Sequence, residues 1–255
     1  MFDWKRRRAA LLLALMCALA VLPAGAETAL RGYTKSDGYV YAALGRYRQD
    51  EDGGVRPIVW RVLRVENDRA YVVSEYVLIN HRIHPDDQEY IAFGGEFRKT
   101  EMWDFLNGEF AQEAFTEEEW NALVDTEEFG RMFLLSKEDL KDKSIGFGTD
   151  KSRKAWGTPW ALAQMTVNEK YNRVEQALFR YRSERGSHSP YWTRTQGSNK
   201  YSANCTKAKG DIGWIRVVVQ NEGCRPACWL DLTRLTVAGG SGTLEDPYQM
   251  EPAAP

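Results

Sequence analysis

Two short segments in the second half of the chain place arginines beside large aromatic residues, and these residue types could do chemistry. One segment reads Tyr191-Trp192-Thr193-Arg194-Thr195, and the other runs from Gly223 through Arg225 to Leu232. A guanidinium offers a planar fork of donors for a carboxylate or phosphate, and aromatic rings can stack against sugars. The predicted ligand-binding residues are therefore Tyr191, Trp192, Arg194, Trp214 and Arg225.

The same arginines also have a structural interpretation, which the residue types favour. Buried arginines commonly bind carbonyl oxygens or an acidic partner and fix the ends of strands. Rings such as Trp229 then pack in the core, and an exposed edge around Tyr191 and Trp192 is where a ligand is expected.

No pattern in the sequence predicts a catalytic residue, a metal or a cofactor. The chain has neither a Gly-x-Ser-x-Gly elbow nor a His-Glu-x-x-His pair. The segment from His81 to Asp87 contains ligand-type side chains, but it lacks helical support and is expected to be a solvated loop. An enzyme with an unrecognised site remains an alternative.

The first residues have the three regions of a secretory signal peptide. Lys5-Arg6-Arg7-Arg8 is basic, Ala9 to Leu22 is apolar, and Ala24-Gly25-Ala26 fits a cleavage site. The apolar run is shorter than the roughly 20 residues that span a bilayer. We expect residues 1–26 to be removed and the protein to be secreted or held at the cell surface; an uncleaved N-terminal anchor is the alternative.

Composition narrows the partners of the exported chain. With 34 Lys and Arg against 36 Asp and Glu, nothing favours nucleic acid or an anionic membrane as a partner. No transmembrane segment is expected after residue 26. Basic residues from Lys151 to Arg185 could contact an anionic wall polymer, but charge runs usually form a solvated face.

Three cysteines remain after cleavage, and in an oxidising compartment one pair among Cys205, Cys224 and Cys228 is expected to form a disulfide. A Cys224–Cys228 bridge would require the chain to bend, because four extended residues span about 13 Å. Zinc binding would need a fourth ligand, which the neighbouring sequence does not supply.

The elements expected to position these residues mix strands and short helices. Pro57–Val65 and Ala70–Ser74 predict a hairpin, and Thr100 and Thr116 are predicted to cap helices. An amphipathic helix is predicted over 168–183. Because no βαβ rhythm is present, the fold class is α+β. We expect one α+β domain over 27–238 and a flexible Gly/Ser/Pro-rich tail over 239–255.

The order of several segments resembles a family of exported bacterial domains, domain of unknown function 6273, over about residues 39–233. That family is in turn similar to C-type-lectin-like folds of the formylglycine-generating-enzyme sort, which also have an aromatic-Arg strand followed by a Gly-x-Arg strand. The resemblance implies a C-type-lectin-like mixed sheet with flanking short helices. The oxidase chemistry is not implied, because the cysteines here follow Arg194. The matching segments are Leu44–Gln49, Pro57–Leu63, Trp103–Asn107, Phe133–Ser136, Tyr191–Thr195 and Gly223–Leu230.

Together these features predict an exported, non-enzymatic binding module. Its ligand would be a glycan, a peptide or a cell-wall component. A structural appendage of a cell-surface assembly is the third possibility that the sequence leaves open.

Overall fold

The structure is a computed structural model, which describes residues 38–164, 188–220 and 222–254. The expected signal peptide, residues 1–26, and the expected helix, residues 168–183, lie outside the described residues. Within the described ranges, no helix combines the length and the apolar character needed to cross a bilayer.

The described chain is mostly sheet with a few short helices, and its α+β class agrees with the prediction. The strands are β1 (Tyr41–Arg48), β2 (Val55–Glu66), β3 (Arg69–Ser74), β4 (Ile79–Asn80), β5 (Met132–Leu134), β6 (Tyr191–Gln196), β7 (Ser202–Thr206), β8 (Ile212–Arg216), β9 (Gly223–Cys224), β10 (Pro226–Asp231), β11 (Leu235–Gly239) and β12 (Tyr248–Pro252). The α-helices are α1 (Asp87–Ala92), α2 (Glu101–Asn107), α3 (Glu109–Ala114), α4 (Glu117–Asn121), α5 (Asp150–Arg153) and α6 (Pro159–Ala163), with 3-10 turns at Phe97–Lys99 and Asp139–Lys141.

The strands form two sheets. The larger is seven-stranded in the order β11-β12-β1-β2-β3-β10-β5, and the smaller is five-stranded in the order β4-β9-β6-β7-β8. The chain changes sheets four times: between β3 and β4, between β4 and β5, between β5 and β6, and between β9 and β10. At the last of these changes, Arg225 alone separates the two strands.

The predicted hairpin is confirmed as β2 and β3. Glu66 pairs with Arg69, so the loop contains only Asn67 and Asp68. Both loop residues have positive φ, 49° and 56°, as a type I′ turn requires; Asn and Asp tolerate this conformation better than most residues.

A glycine lets β1 curve against the helices. The β1–β2 register shifts between Ala43 and Arg46, and Gly45 within this bulge has φ +68°. A Cβ on Gly45 would lie 2.6 Å from a ring carbon of Phe115, which leaves no room for a side chain. The strand is also held by the indole of Trp60, which donates to the Leu44 carbonyl at 2.9 Å.

Both predicted helix caps are confirmed. The Thr100 hydroxyl accepts from the Trp103 backbone N–H at 3.2 Å and begins α2. At α4, Thr116 Oγ1 accepts from the Glu119 N–H, and Glu119 Oε2 accepts from the Thr116 N–H in return. This capping box satisfies two backbone donors that the first turn leaves unpaired.

The tail predicted to be flexible instead contributes strand β12 to the large sheet. β12 pairs in parallel with β1, where Ala42 lies opposite Tyr248, and antiparallel with β11. Tyr248 and Met250 are buried, whereas Gln249 between them is exposed. The Gly/Ser-rich residues therefore form only the connection between two paired strands, and alternate burial fixes the register of β12.

Candidate functional site

Arg225 is buried where the chain crosses between the sheets. Its side chain is 0% exposed. Nε donates to the Ser74 carbonyl at 2.7 Å, and Nη1 lies 3.4 Å from the Tyr191 hydroxyl. Ser74 ends β3 and Tyr191 begins β6, so this guanidinium joins the two sheets. Arg225 therefore has the structural role of fixing strand ends, and not the ligand-binding role that was its alternative.

Glu75 provides the carboxylate for two guanidiniums in this region. Arg61 donates to it from Nε at 2.7 Å and from Nη2 at 2.6 Å, which uses both carboxylate oxygens. Arg225 Nη2 lies 3.8 Å from Glu75 Oε2. Since Nη2 has no hydrogen-bond partner among the described residues, the positive charge of Arg225 is only partly balanced.

Tyr191 and Trp192 do not form the exposed edge that the sequence suggested. Each is only 1% exposed. The Tyr191 hydroxyl donates to the Arg153 carbonyl at 2.7 Å, and the Trp192 indole donates to the His81 carbonyl at 2.8 Å. The physical reason is that β6 lies inside the smaller sheet between β9 and β7. These rings belong to the core.

Trp214 is the exposed member of the predicted set, with 49% of its surface accessible. It lies on β8, an edge strand of the smaller sheet. Strand β7 lies between it and β6, the strand that carries Arg194. Trp214 is also absent from the lining of the groove beside Arg194. The five predicted residues therefore do not converge on one site.

The prediction of a disulfide is also wrong, because Cys205, Cys224 and Cys228 are all free, buried thiols. Cys205 on β7 and Cys224 on β9 flank β6. Two strand spacings separate them by roughly 9.5 Å, beyond the reach of a disulfide. Cys228 belongs to the larger sheet, where it pairs with Val72 and Met132. Burial raises the pKa of each thiol well above its ordinary value.

The segment expected to be a solvated loop is partly buried. His84 packs edge-on against Phe93, with ring centroids 5.1 Å apart, and its Nδ1 accepts from the Glu101 N–H at 3.3 Å. Glu89 Oε2 lies 3.3 Å from His84 Nε2. These contacts give the ring a role in packing. Nowhere in the described ranges do three or more His, Cys, Asp or Glu side chains gather as a metal site.

Arg194 lies at an open groove of about 910 Å³, which we call the Arg194 groove. Its guanidinium carbon is 4.2 Å from the centroid of the Phe129 ring. The side chain is 14% exposed, so it is largely covered but reaches the groove. The groove is lined by Glu96, Phe97, Arg98, Lys99, Glu127, Glu128, Phe129, Ser136, Glu138, Arg194 and Thr195.

Asp139 holds Arg194 in place. Its Oδ2 accepts from Arg194 Nη1 at 3.1 Å, from the Tyr71 hydroxyl at 3.1 Å and from the Ser136 N–H at 2.6 Å. Arg194 Nη1 also donates to the Leu134 carbonyl. Burial, followed by the charge of Asp139, raises the pKa of Tyr71 well above its ordinary value. The tyrosine therefore stays protonated and donates to the carboxylate.

The groove carries three carboxylates without partners among the described residues. Glu127, Glu128 and Glu138 are exposed and form no hydrogen bond or ion pair through their side chains there; we call them the rim carboxylates. The nearby cations are already engaged. Lys99 pairs with Glu96 at 2.6 Å, and Arg98 donates to the Glu127 backbone carbonyl.

Sequence reasoning found Arg194 but missed the rest of the groove. Ser136 and Asp139 bond reciprocally at the start of a helical turn: the Ser136 N–H donates to Asp139 Oδ2, and the Asp139 N–H donates to Ser136 Oγ at 2.9 Å. Nothing local indicates that the same carboxylate also binds an arginine far along the chain. Glu127 and Phe129 lie in an irregular loop whose folding depends on Thr126 and Gly130.

Comparison with known proteins assigns the sequence to a family. A family model described as "Domain of unknown function (DUF6273)" matches residues 67–232. No curated protein and no solved structure matches the chain. The matched range includes the Arg194 groove and the crossover at Arg225, while β1 and β12 lie outside it. Because the match covers well over half of its residues, the chain belongs to the DUF6273 family of domains of unknown function.

Proposed function

We propose that this protein is an exported, non-enzymatic binding module whose ligand site is the Arg194 groove. The proposal rests on the hydrogen bonds of the Arg194 guanidinium. Nη1 is anchored to Asp139 and Leu134, whereas Nε and Nη2 have no hydrogen-bond partner among the described residues. Holding one nitrogen leaves the other donors pre-oriented for a ligand oxygen, which reduces the entropy lost on binding.

The size of the groove suits a ligand rather than a single ion. Its volume of about 910 Å³ lies within the roughly 300–1,000 Å³ that is typical of ligand pockets. Phe97 and Phe129 supply apolar surface, and Arg194 and Thr195 supply polar groups beside them. Most of the other lining side chains are charged, so the groove suits a ligand that carries charged groups of its own.

Among the ligand classes left open by the sequence, the geometry favours a peptide over a glycan. A sugar platform requires an exposed aromatic face. Tyr191 and Trp192 are buried, and Arg194 covers one face of the Phe129 ring. The exposed rings of Trp156, Tyr201 and Trp214 all lie outside the lining of the groove.

The rim carboxylates indicate which peptide would bind. Glu127, Glu128 and Glu138 have no cationic partners among the described residues, so a lysine or arginine side chain of the ligand could pair with them. Arg194 would bind a backbone carbonyl or a carboxylate of the same ligand. The ligand proposed is therefore an extended peptide with at least one basic residue. Complementary charge of this kind contributes mainly to association rate and specificity.

The sequence also supports two further parts of this proposal, export and a C-type-lectin-like core. Export through a signal peptide is supported by residues 1–26 alone. A C-type-lectin-like core is supported by the aromatic-Arg strand β6 and by Arg225 after the short strand β9. An experimental structure whose two-sheet topology lacks counterparts among C-type-lectin-like folds would exclude the second part.

The purified protein should be screened against a peptide library, a glycan panel and wall polymers. We expect basic peptides to bind, and we expect the double substitution Glu127→Gln/Glu128→Gln to weaken the best hit by roughly tenfold, about 1.4 kcal/mol. The matched control is Glu117→Gln/Glu118→Gln, which removes the same charge from two adjacent exposed residues of α4.

Three results would contradict the proposal. Glycans could bind while peptides do not, both double variants could lose the peptide equally, or an activity screen could find turnover. Recovery of a large surface complex in the absence of peptide binding would instead support the assembly interpretation.

A further inference from the structure

A second cavity lies against β1 and β2, away from the Arg194 groove. Its volume is about 350 Å³, and we call it the Lys154 pocket. Two tyrosines of the β1 segment and Arg61 of β2 form one side, and residues of α5 and its flanks form the other. Its lining includes Tyr39, Tyr41, Arg61, Lys151, Ser152 and Lys154.

Arg61 supplies the guanidinium on the inner side of this pocket. Arg61 lines it and is bound through Nε and Nη2 to Glu75. The same carboxylate is the nearest counterion of Arg225, 3.8 Å away. One partly buried carboxylate therefore serves two buried guanidiniums, of which only Arg61 lines the pocket, and Arg225 Nη2 is without a hydrogen-bond partner among the described residues. A buried charge of this kind is costly unless a counter-charge approaches it.

The outer side adds two cations that no described residue neutralises. Lys151 is exposed and Lys154 is half-buried, and neither forms an ion pair with the described residues. Asp150, the acidic residue beside them, is already bound to Arg153. Lys151, Lys154 and Arg61 thus surround one cavity, with the carboxylate of Glu75 as the counter-charge on its inner side.

Free hydrogen-bond donors are present as well. The Tyr39 hydroxyl is occupied, because it donates to the Gly146 carbonyl at 2.7 Å. The Tyr41 hydroxyl has no partner among the described residues. Arg61 uses Nε and Nη2 for Glu75, which leaves Nη1 available. A guanidinium nitrogen, a phenol and two ammonium groups are the donors that an oxyanion requires.

We propose that the Lys154 pocket binds a small ligand through a phosphate or carboxylate group. The group sits between the ammonium groups of Lys151 and Lys154 and accepts from Tyr41 and from Arg61 Nη1. Its negative charge offsets the positive charges of the two lysines. This site does not depend on the proposed peptide site, because the two share no residue.

The experiment is a calorimetric titration of the purified protein with inorganic phosphate and, separately, with acetate. Ionic strength is held constant with chloride, because screening alone would change the affinity of any exposed cation. We expect at least one of the two anions to bind at a single site. The anion with the higher affinity shows whether the ligand's anionic group is a phosphate or a carboxylate. Lys151→Gln and Lys154→Gln should each weaken it roughly tenfold, the effect of losing one charge-assisted hydrogen bond.

The matched control is Lys200→Gln, which removes the same charge from an exposed lysine in the turn between β6 and β7. It should leave the affinity unchanged. Tyr41→Phe tests the pocket without altering charge and should weaken binding severalfold. If neither anion binds above the chloride background, or if Lys200→Gln and Lys154→Gln weaken binding equally, the proposal is overturned.

Discussion

Arg225 donates from Nε to the backbone carbonyl of Ser74 at 2.7 Å, and this bond joins the first and the last of the four places where the chain changes sheets. Ser74 is the last residue of β3, just before the chain leaves the large sheet, and Arg225 precedes β10, where it returns. A long side chain is needed because the two crossovers lie side by side without pairing as strands. The arginine is therefore part of what holds the sheets together.

Replacing Arg225 by methionine should destabilise the fold. Glu75 would keep Arg61 as its partner, but the Ser74 carbonyl would lose its donor in a buried position. We expect the free energy of unfolding to fall by about 1–3 kcal/mol, measured by denaturant unfolding. Arg234→Met, at an exposed arginine paired at the surface with Asp231, should change it by less than about 0.5 kcal/mol. Equal effects of the two substitutions would show that the crossover bond contributes nothing.

The three cysteines that the structure describes should be unreactive in the folded protein. Cys205, Cys224 and Cys228 are free and buried, and burial raises their pKa. Little thiolate therefore forms near neutral pH. Alkylation followed by mass spectrometry should label none of the three in native buffer and all three in denaturant. A peptide pair linked without reductant would restore the disulfide predicted from the sequence.

The same thiols make stability depend on alkaline pH. The unfolded chain loses these protons near the ordinary value of 9.0, whereas the folded protein retains them because its thiol pKa values are raised. The contribution is therefore fully present below pH 9 and is lost as the pH rises above it. Denaturant midpoints measured from pH 8 to pH 11 should fall. The fall should be smaller in Cys228→Ala, and an identical profile in this variant would contradict the argument.

Strand β12 provides a test of whether the last residues are ordered. Met250 is buried against the large sheet and Gln249 points outward. Met250→Ala should lower the free energy of unfolding by about 2–4 kcal/mol, while Gln249→Ala should have almost no effect. A flexible tail, as composition predicted, would make both substitutions neutral, so the pair distinguishes the two outcomes.

Export predicts a defined N-terminus. If residues 1–26 are a signal peptide, N-terminal sequencing of the protein recovered outside the producing cell should begin at Glu27. Replacing Ala24 and Ala26 by a large residue such as leucine should block this cleavage. A protein that begins at Met1 and remains inside the cell would refute export.

The features that sequence predicted correctly depend on neighbouring residues. The β2–β3 hairpin follows from a two-residue loop of Asn67 and Asp68. The caps at Thr100 and Thr116 follow from hydroxyls that reach N–H groups only three residues ahead. Such interactions span one turn, so the type and spacing of a few residues suffice to predict them.

The features that sequence missed depend on partners far along the chain. Arg194 and Arg225 both lie near aromatic residues in the sequence. Arg194 reaches a groove. Arg225 is enclosed, because it lies where the chain crosses between the sheets. Tyr191 and Trp192 are buried because strands on both sides cover β6. The tail composition suggested flexibility, but Tyr248 and Met250 find a buried place beside β1. No local pattern identifies these partners.

The parallel pairing of β12 with β1 also determines when this sheet can be completed. During synthesis, β1 emerges early, but the neighbour on its outer side is not made until residues 248–252. Until then a nascent chain carries an uncovered strand edge, which is the kind of surface that other chains can join. Contacts this distant in sequence also slow folding. A chaperone that binds extended segments would therefore be most useful to this protein in the interval between the synthesis of β1 and that of β12.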